Sequence, residues 1–97
     1  MQLEVDPSVW PDFFVSAAWY ELERRGLGAD LLDEAYATLD RIESGPLMFP
    51  CIRGPVRRAQ LHRFPFGIFY EIIGEIIVIY AIVHLGRDEN AWTKNIP

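Results

Sequence analysis

Between Val56 and His84 the chain reads VRRAQLHRFPFGIFYEIIGEIIVIYAIVH. Runs rich in β-branched and aromatic residues follow one another with only short breaks, which predicts an antiparallel meander with strands over about Val56–Phe64, Phe66–Ile73 and Ile76–His84. The first run alternates, setting Arg58, Gln60 and His62 on one face and Ala59 and Leu61 on the other. The last is apolar on both faces through Ile76, Ile77, Val78, Ile79 and Tyr80, so it belongs in the middle of a sheet covered on both sides. Gly74-Glu75 has the length of a two-residue hairpin turn between the second run and the third.

Upstream of the meander, Pro46, Pro50, Gly54 and Pro55 mark a loop. Before it, Leu32, Ala35, Tyr36, Leu39 and Ile42 form a stripe at helical spacing, which predicts a helix from about Asp30 to about Ser44. Asp30 can cap its start, and Gly45-Pro46 stops it. Gly26-Leu27-Gly28 is a tight connection from an earlier helix that begins after Asp6-Pro7-Ser8 and ends near Arg25. Pro11 lacks an N–H and places the start of that helix as late as Trp10. Phe13, Ala17 and Tyr20 share one side of it, Phe14, Ala18 and Leu22 line another, and Val15 and Trp19 lie beyond. So little of this helix is polar that it is either clamped between a sheet and a second helix or partly reserved for another chain. Gln2-Leu3-Glu4-Val5 alternates as a short half-buried strand does. The expected architecture is α+β in the order β-α-α-β-β-β, an antiparallel helix hairpin packed on one side of a four-stranded sheet, with residues 1–97 as a single domain.

Composition bounds what such a domain does. With 97 residues, 51% of them hydrophobic, and three Trp, four Tyr and six Phe, the chain carries more apolar surface than one small core hides, which points to a partner. The lone Cys51 staples nothing and has no neighbours at metal-ligand spacing, so neither metal nor cofactor is expected and a reducing cytoplasm fits best. The run Ile76 to Val83 is too short to span a bilayer, and the N-terminus lacks the basic-then-apolar order of an export signal. A net charge of −5 argues against general nucleic-acid binding, and no sequence-specific contact with nucleic acid is expected. The charge is divided: residues 1–49 hold ten acids and three bases, net −7, whereas residues 50–97 hold four acids and six bases, net +2.

Several blocks in this order resemble the RelE/ParE toxin superfamily. They are Ala17-Ala18-Trp19-Tyr20 before Gly26-Leu27-Gly28, Ile42 before Gly45-Pro46, and Phe49-Pro50. Further on come Arg57-Arg58, Leu61, Arg63-Phe64-Pro65-Phe66 and Ile68-Phe69-Tyr70, then Ala81-Ile82-Val83-His84 followed by Arg87-Asp88 and Trp92. The resemblance implies a toxin of a type II toxin–antitoxin, or plasmid stabilisation, system, neutralised by an antitoxin that wraps around the helices and sheet. It allows two modes of action: poisoning a protein target, DNA gyrase, or cutting messenger RNA on the ribosome.

Cutting RNA through its own 2′-hydroxyl requires an acid, a base and cations around the phosphate, and Arg63, His84 and Arg87 are the candidates for that chemistry. A histidine is the side chain suited to serve as acid or base, but His84 stands at a strand end where a structural hydrogen bond is the commoner role. Arg57, Arg58, His62 and Trp92 are the candidates for contact with a target or antitoxin. Their plainer roles are pairing with the acidic helices for the arginines and anchoring the C-terminal tail for Trp92. Arg63 can likewise rest as a solvated cation over Phe64 or Phe66. Three departures turn the reading away from a nuclease. Gly67 stands where messenger-cutting relatives commonly carry an Arg, Trp92 where a Tyr often acts, and Lys94 is the only lysine. The favoured expectation is therefore a ParE-like toxin that occupies a protein surface. A RelE-like ribosome-dependent endoribonuclease is the alternative, and a repurposed, non-toxic family member the third possibility.

Overall fold

The computed structural model describes residues 1–87 and 89–95, so Asp88 of the Arg87-Asp88 pair lies outside the described residues. Its elements are β1 (Gln2–Val5), α1 (Val9–Glu23), α2 (Leu27–Ser44), β2 (Cys51–Arg53), β3 (Val56–Gln60), β4 (Phe66–Ile73), β5 (Ile76–His84) and a 3₁₀ helix at Glu89–Asn95. The α+β order and the meander are as expected, with one strand more. The sheet runs β1-β5-β4-β3-β2, with β1 parallel to β5 and the other neighbours antiparallel. The additional strand, β2, folds back on β3 through Gly54, whose φ of 53° suits a residue without a side chain. Three residues are too few to show alternation, which is why that segment reads as loop in the sequence.

β5 sits centrally between β1 and β4, as its two apolar faces require. On the helix side, Phe13, Leu31 and Ile42 pack with Ile68, Tyr70, Ile77 and Ile79 into the main core. At Tyr80 the ladder slips. Phe69 faces Ala81 but Tyr70 faces Ile79, so Tyr80 is an extra residue that joins Ala81 on the other face. There Val56, Phe69, Tyr80 and Ala81 form a second cluster, closed by Trp92 from the 3₁₀ helix. The Trp92 ring stacks on Phe69 at 5.5 Å and 8°, and the Arg53 guanidinium lies 4.7 Å from its centroid. Asn95 Nδ2 donates to the Tyr80 carbonyl at 2.6 Å and to Ser8 Oγ at 3.1 Å, tying this cover to both ends of the fold. Trp92 is thus the anchor its plainer reading made it.

Helix boundaries differ from expectation for identifiable reasons. α1 starts at Val9, directly after Ser8 and at the early limit of the expected start, since Pro11 falls in the first turn, where the missing N–H would have had no acceptor within the helix. α2 starts at Leu27 rather than Asp30. Gly26 turns the chain with a φ of 89°, and the Glu21 carboxylate of α1 accepts the N–H groups of Gly26 at 2.9 Å and Gly28 at 3.0 Å. The cap of the second helix is therefore carried by the first, and the carboxylate lies at the positive end of the helix dipole. β3 ends at Gln60, short of Phe64, because the Arg63 N–H turns away to Glu34 Oε1 at 2.8 Å on α2 instead of continuing a ladder.

Two tyrosine hydroxyls are held inside this frame. Tyr70 donates to the Pro46 carbonyl at 2.7 Å and Tyr80 to Glu71 Oε1 at 2.9 Å. Burial pushes both up to about 12, the carboxylate of Glu71 adding to the effect at Tyr80 and the neighbouring Arg57 opposing it at Tyr70. A phenol whose folded pKa is raised stabilises the fold fully below its unfolded value and loses that contribution as pH climbs through the folded one. Stability measured by denaturant titration should accordingly hold to about pH 10 and fall between about pH 10 and 12. Tyr80→Phe should flatten part of that fall.

Candidate functional site

The cationic residues of the meander lie mostly at one end of the sheet, where the loop 61–65 meets the turn after β5 through a hydrogen bond from Leu85 N to the Pro65 carbonyl at 2.8 Å. Arg63 is held to α2. Its guanidinium lies 3.4 Å from Asp30 and 5.5 Å from the Phe64 ring centroid, in an exposed ion pair worth no more than about 1 kcal/mol. The position over Phe64 is the plainer one read from the sequence. His62 Nε2 faces Arg41 Nη1 at 3.0 Å, and since a guanidinium only donates, that nitrogen accepts. Arg41 also donates to Thr38 Oγ1 at 2.9 Å, and that hydroxyl donates to the Glu34 carbonyl at 2.7 Å, which satisfies the one buried polar side chain of α2.

His84 lies at the same end of the sheet, on β5 opposite Phe66. Its ring meets Phe66 edge-on at 5.3 Å, and Nδ1 is buried without a hydrogen-bond partner among the described residues. An imidazole acting as acid or base exchanges its proton through a nitrogen that reaches the substrate while the other is oriented by an acceptor. Nothing described orients Nδ1. A row of aromatic contacts, Phe64 to Tyr20 to Phe66 to His84, runs between the residues on which Arg63 and His84 rest. Arg87 is exposed in the turn beyond Gly86, whose φ is 88°. The three residues share an end of the sheet, but Arg63 is anchored on α2 and His84 on Phe66.

Of the four contact candidates, His62 alone is exposed. Arg57 is half-buried and structural: it donates to the Phe49 carbonyl at 2.6 Å, clamping the segment after α2 onto the sheet, and does not reach the acidic helices. Arg58 is half-buried with its aliphatic stem beside Gly67, and Trp92 is buried. Gly67 is explained by the same neighbourhood. A Cβ there would stand 2.9 Å from Leu85 Cδ2 and 3.3 Å from Arg58 Cγ, so the place where an Arg side chain would begin is already filled.

The feature with most surface to offer is α1. Val9, Phe13 and Ala17 are buried against the sheet and α2, but Leu22 is 88% exposed, Val15 71%, Trp19 52% and Phe14 47%. The helix is not clamped on both sides; its outer half is bare. At 100° per residue Phe14, Ala18, Leu22, Val15 and Trp19 span an arc of about 140° that contains no charge. Trp10 bridges this arc to α2, its ring 5.9 Å from Phe14 and 5.6 Å from Tyr36. Hydrophobic spacing alone displays these residues; what it lacks is the information that no third layer covers them. Arg41 and Glu21, which organise the hairpin, are ordinary charged helix residues in the sequence and carry no signal of their partners.

The fold and this open face define a class: a helix hairpin on one side of a mixed sheet, with an uncovered apolar helix surface of the kind that receives another chain. A solved structure with this architecture is a chain of the chromosomal ParDE TA system from P. aeruginosa, which superposes with a TM-score of 0.65 at 18% identity over 87% of this chain and 95% of that one. At that identity the likeness is one of fold. No family model matches the sequence, and no curated protein matches it.

Proposed function

We propose that the protein is the toxin of a type II toxin–antitoxin pair, ParE-like in mode: it is held by a cognate antitoxin and, when free, occupies the surface of a protein target, DNA gyrase being the target implied by the family resemblance. The observation that carries this reading is the division of labour on the surface. Arg57 and Arg63 are spent on contacts within the chain, and His84 rests on Phe66, whereas the outer face of α1 is apolar and bare. Such a surface suits capture of a protein better than stabilisation of a phosphorane, which needs converging cations. The likeness of fold to a chain of a ParDE system supports the same reading. Of the contact candidates on the meander, His62 is the exposed one left to touch a target.

Purified protein added in micromolar excess should inhibit supercoiling by gyrase, and expression without antitoxin should arrest growth while transcripts stay intact. Full supercoiling at that excess rejects the gyrase assignment. Transcripts cut at codon boundaries, with arrest relieved by His84→Ala, would establish the ribosome-dependent nuclease in its place.

A further inference from the structure

Where α2 passes the open edge of β3, Arg41 stands at the junction of clefts of unlike character. On one side it borders a cleft lined by Asp30, Asp33 and Glu34, and on the other a largely apolar one of about 430 Å³ that holds Met48, Phe49 and a single acid, Asp40. Between them lies a cleft of about 340 Å³ that Arg41 shares with Phe49, Pro50, Arg58, Gln60 and His62. No carboxylate lines this middle cleft. In a chain of net charge −5 that is a local exception.

What lines it donates hydrogen bonds. Arg41 gives one N–H to His62 Nε2 at 3.0 Å and one to Thr38 Oγ1 at 2.9 Å, and its remaining N–H groups meet no carboxylate among the described residues. With Nε2 accepting, the proton of the His62 ring sits on Nδ1, a second donor. A third comes from the backbone. Arg58 N donates outward to the Pro50 carbonyl at 3.1 Å, whereas Leu61 N turns the other way, to Phe66. N–H groups two residues apart in an antiparallel strand point to the same side, so that of Gln60 is directed past the end of β2, where nothing described accepts it. The cleft thus asks for a ligand rich in acceptors and negatively charged. Phe49, common to this cleft and the apolar one, continues it towards Met48, which is 84% exposed. From this arrangement we propose that the cleft binds a small phosphate monoester with a flat apolar body, the chemical class of the nucleoside monophosphates. Arg41, the His62 ring and the Gln60 N–H hold the phosphate, and the base lies along Phe49 towards Met48.

Geometry and charge favour this occupant over others. A guanidinium meets two phosphate oxygens at once, and the joined clefts have the size of a small-molecule site. A nucleic-acid strand would carry its further phosphates past Asp30, Asp33 and Glu34 on one side or Asp40 on the other, where they are repelled. Neither His84 nor Arg87 lines the cleft, so the site is separate from the nuclease alternative, and it goes beyond the toxin reading without resting on it.

Calorimetric titration of the whole protein with adenosine monophosphate, adenosine and inorganic phosphate tests the site. The nucleotide should saturate at millimolar concentration or below, phosphate should bind at least about tenfold more weakly, and adenosine, without the anion, should give no heat. Arg41→Gln should weaken the nucleotide at least about tenfold, and Arg41→Lys, which keeps the charge but not the fork, should restore only part of the loss. Because Arg41 also bonds Thr38, Met48→Glu supplies a variant that leaves the fold alone: it adds a carboxylate at an exposed position and should weaken the nucleotide several-fold with the ligand-free melt unchanged. Arg25→Gln, in the exposed turn after α1, alters the net charge by the same amount as Met48→Glu and should leave the affinity as it is. Absence of binding by the nucleotide, adenosine binding as tightly as its phosphate ester, or equal weakening by Arg25→Gln overturns the proposal. Binding of a single-stranded RNA oligonucleotide that the mononucleotide does not displace also overturns it, by giving the cleft to nucleic acid.

Discussion

Phe66→Ala is expected to remove about 3–5 kcal/mol of stability, enough to leave a domain of this size largely unfolded at physiological temperature. Phe66 is 1% exposed and is the hub of the aromatic cluster, with ring centroids 5.9 Å from Phe13, 6.0 Å from Tyr20 and 5.3 Å from His84. Truncation opens a cavity between α1 and the two central strands, where both layers are held by other contacts and collapse little. Thermal denaturation followed by circular dichroism measures the loss. Phe66→Leu, which refills much of the volume, should recover most of it. A melt unchanged by Phe66→Ala would mean that the helix layer does not depend on this contact.

Gly28→Val should be comparably damaging, by about 3 kcal/mol or more, for a different reason. The two helices cross so closely here that a Cβ on Gly28 would stand 2.5 Å from the Ala17 carbonyl oxygen and 3.1 Å from Glu21 Oε1. The first contact is backbone, which moves only if the helices part. The second is the carboxylate that caps α2 through Gly26 and Gly28, so separation also uncovers the N-terminus of that helix. Even Gly28→Ala should be destabilising, whereas Ala29→Gly, at an exposed position, should cost no more than about 1 kcal/mol. Amide hydrogen exchange gives a local signature: protection at the start of α2 should fall before that of β4 and β5.

The meander was legible because its information is local. Alternation over residues 56–60, the doubly apolar run from Ile76 and the Gly74-Glu75 turn lie in consecutive positions, and the pairing of β4 with β5 follows from them. The same holds for the stripe on α2. What local pattern could not supply were decisions made between distant residues. Glu21 moved the start of α2 forward, Glu34 shortened β3, and β2 joined the sheet only because Arg57 and Tyr70 draw the segment after α2 onto it. The candidate site divides along the same line. The α1 residues were visible by spacing, but whether they faced a core or the open was a property of the third dimension. The cations were visible by type, yet type alone did not tell that Arg57 would be spent on carbonyls or His84 on a phenyl ring.

The parallel pairing of β1 with β5 also sets the order in which the protein can be made. Gln2 to Val5 leave the ribosome early, but their partners, Ile76 to Ile79, emerge only after the hairpin and most of the meander. Until then the first strand has no neighbour, and Phe13 lacks the sheet it packs against. Joining the two ends is a contact of high sequence separation, reinforced by the bond from Asn95 to Ser8 that spans 87 positions, and such contacts are formed late and slowly. The helix hairpin, residues 9–44, is thus complete as sequence well before the sheet it packs on can close.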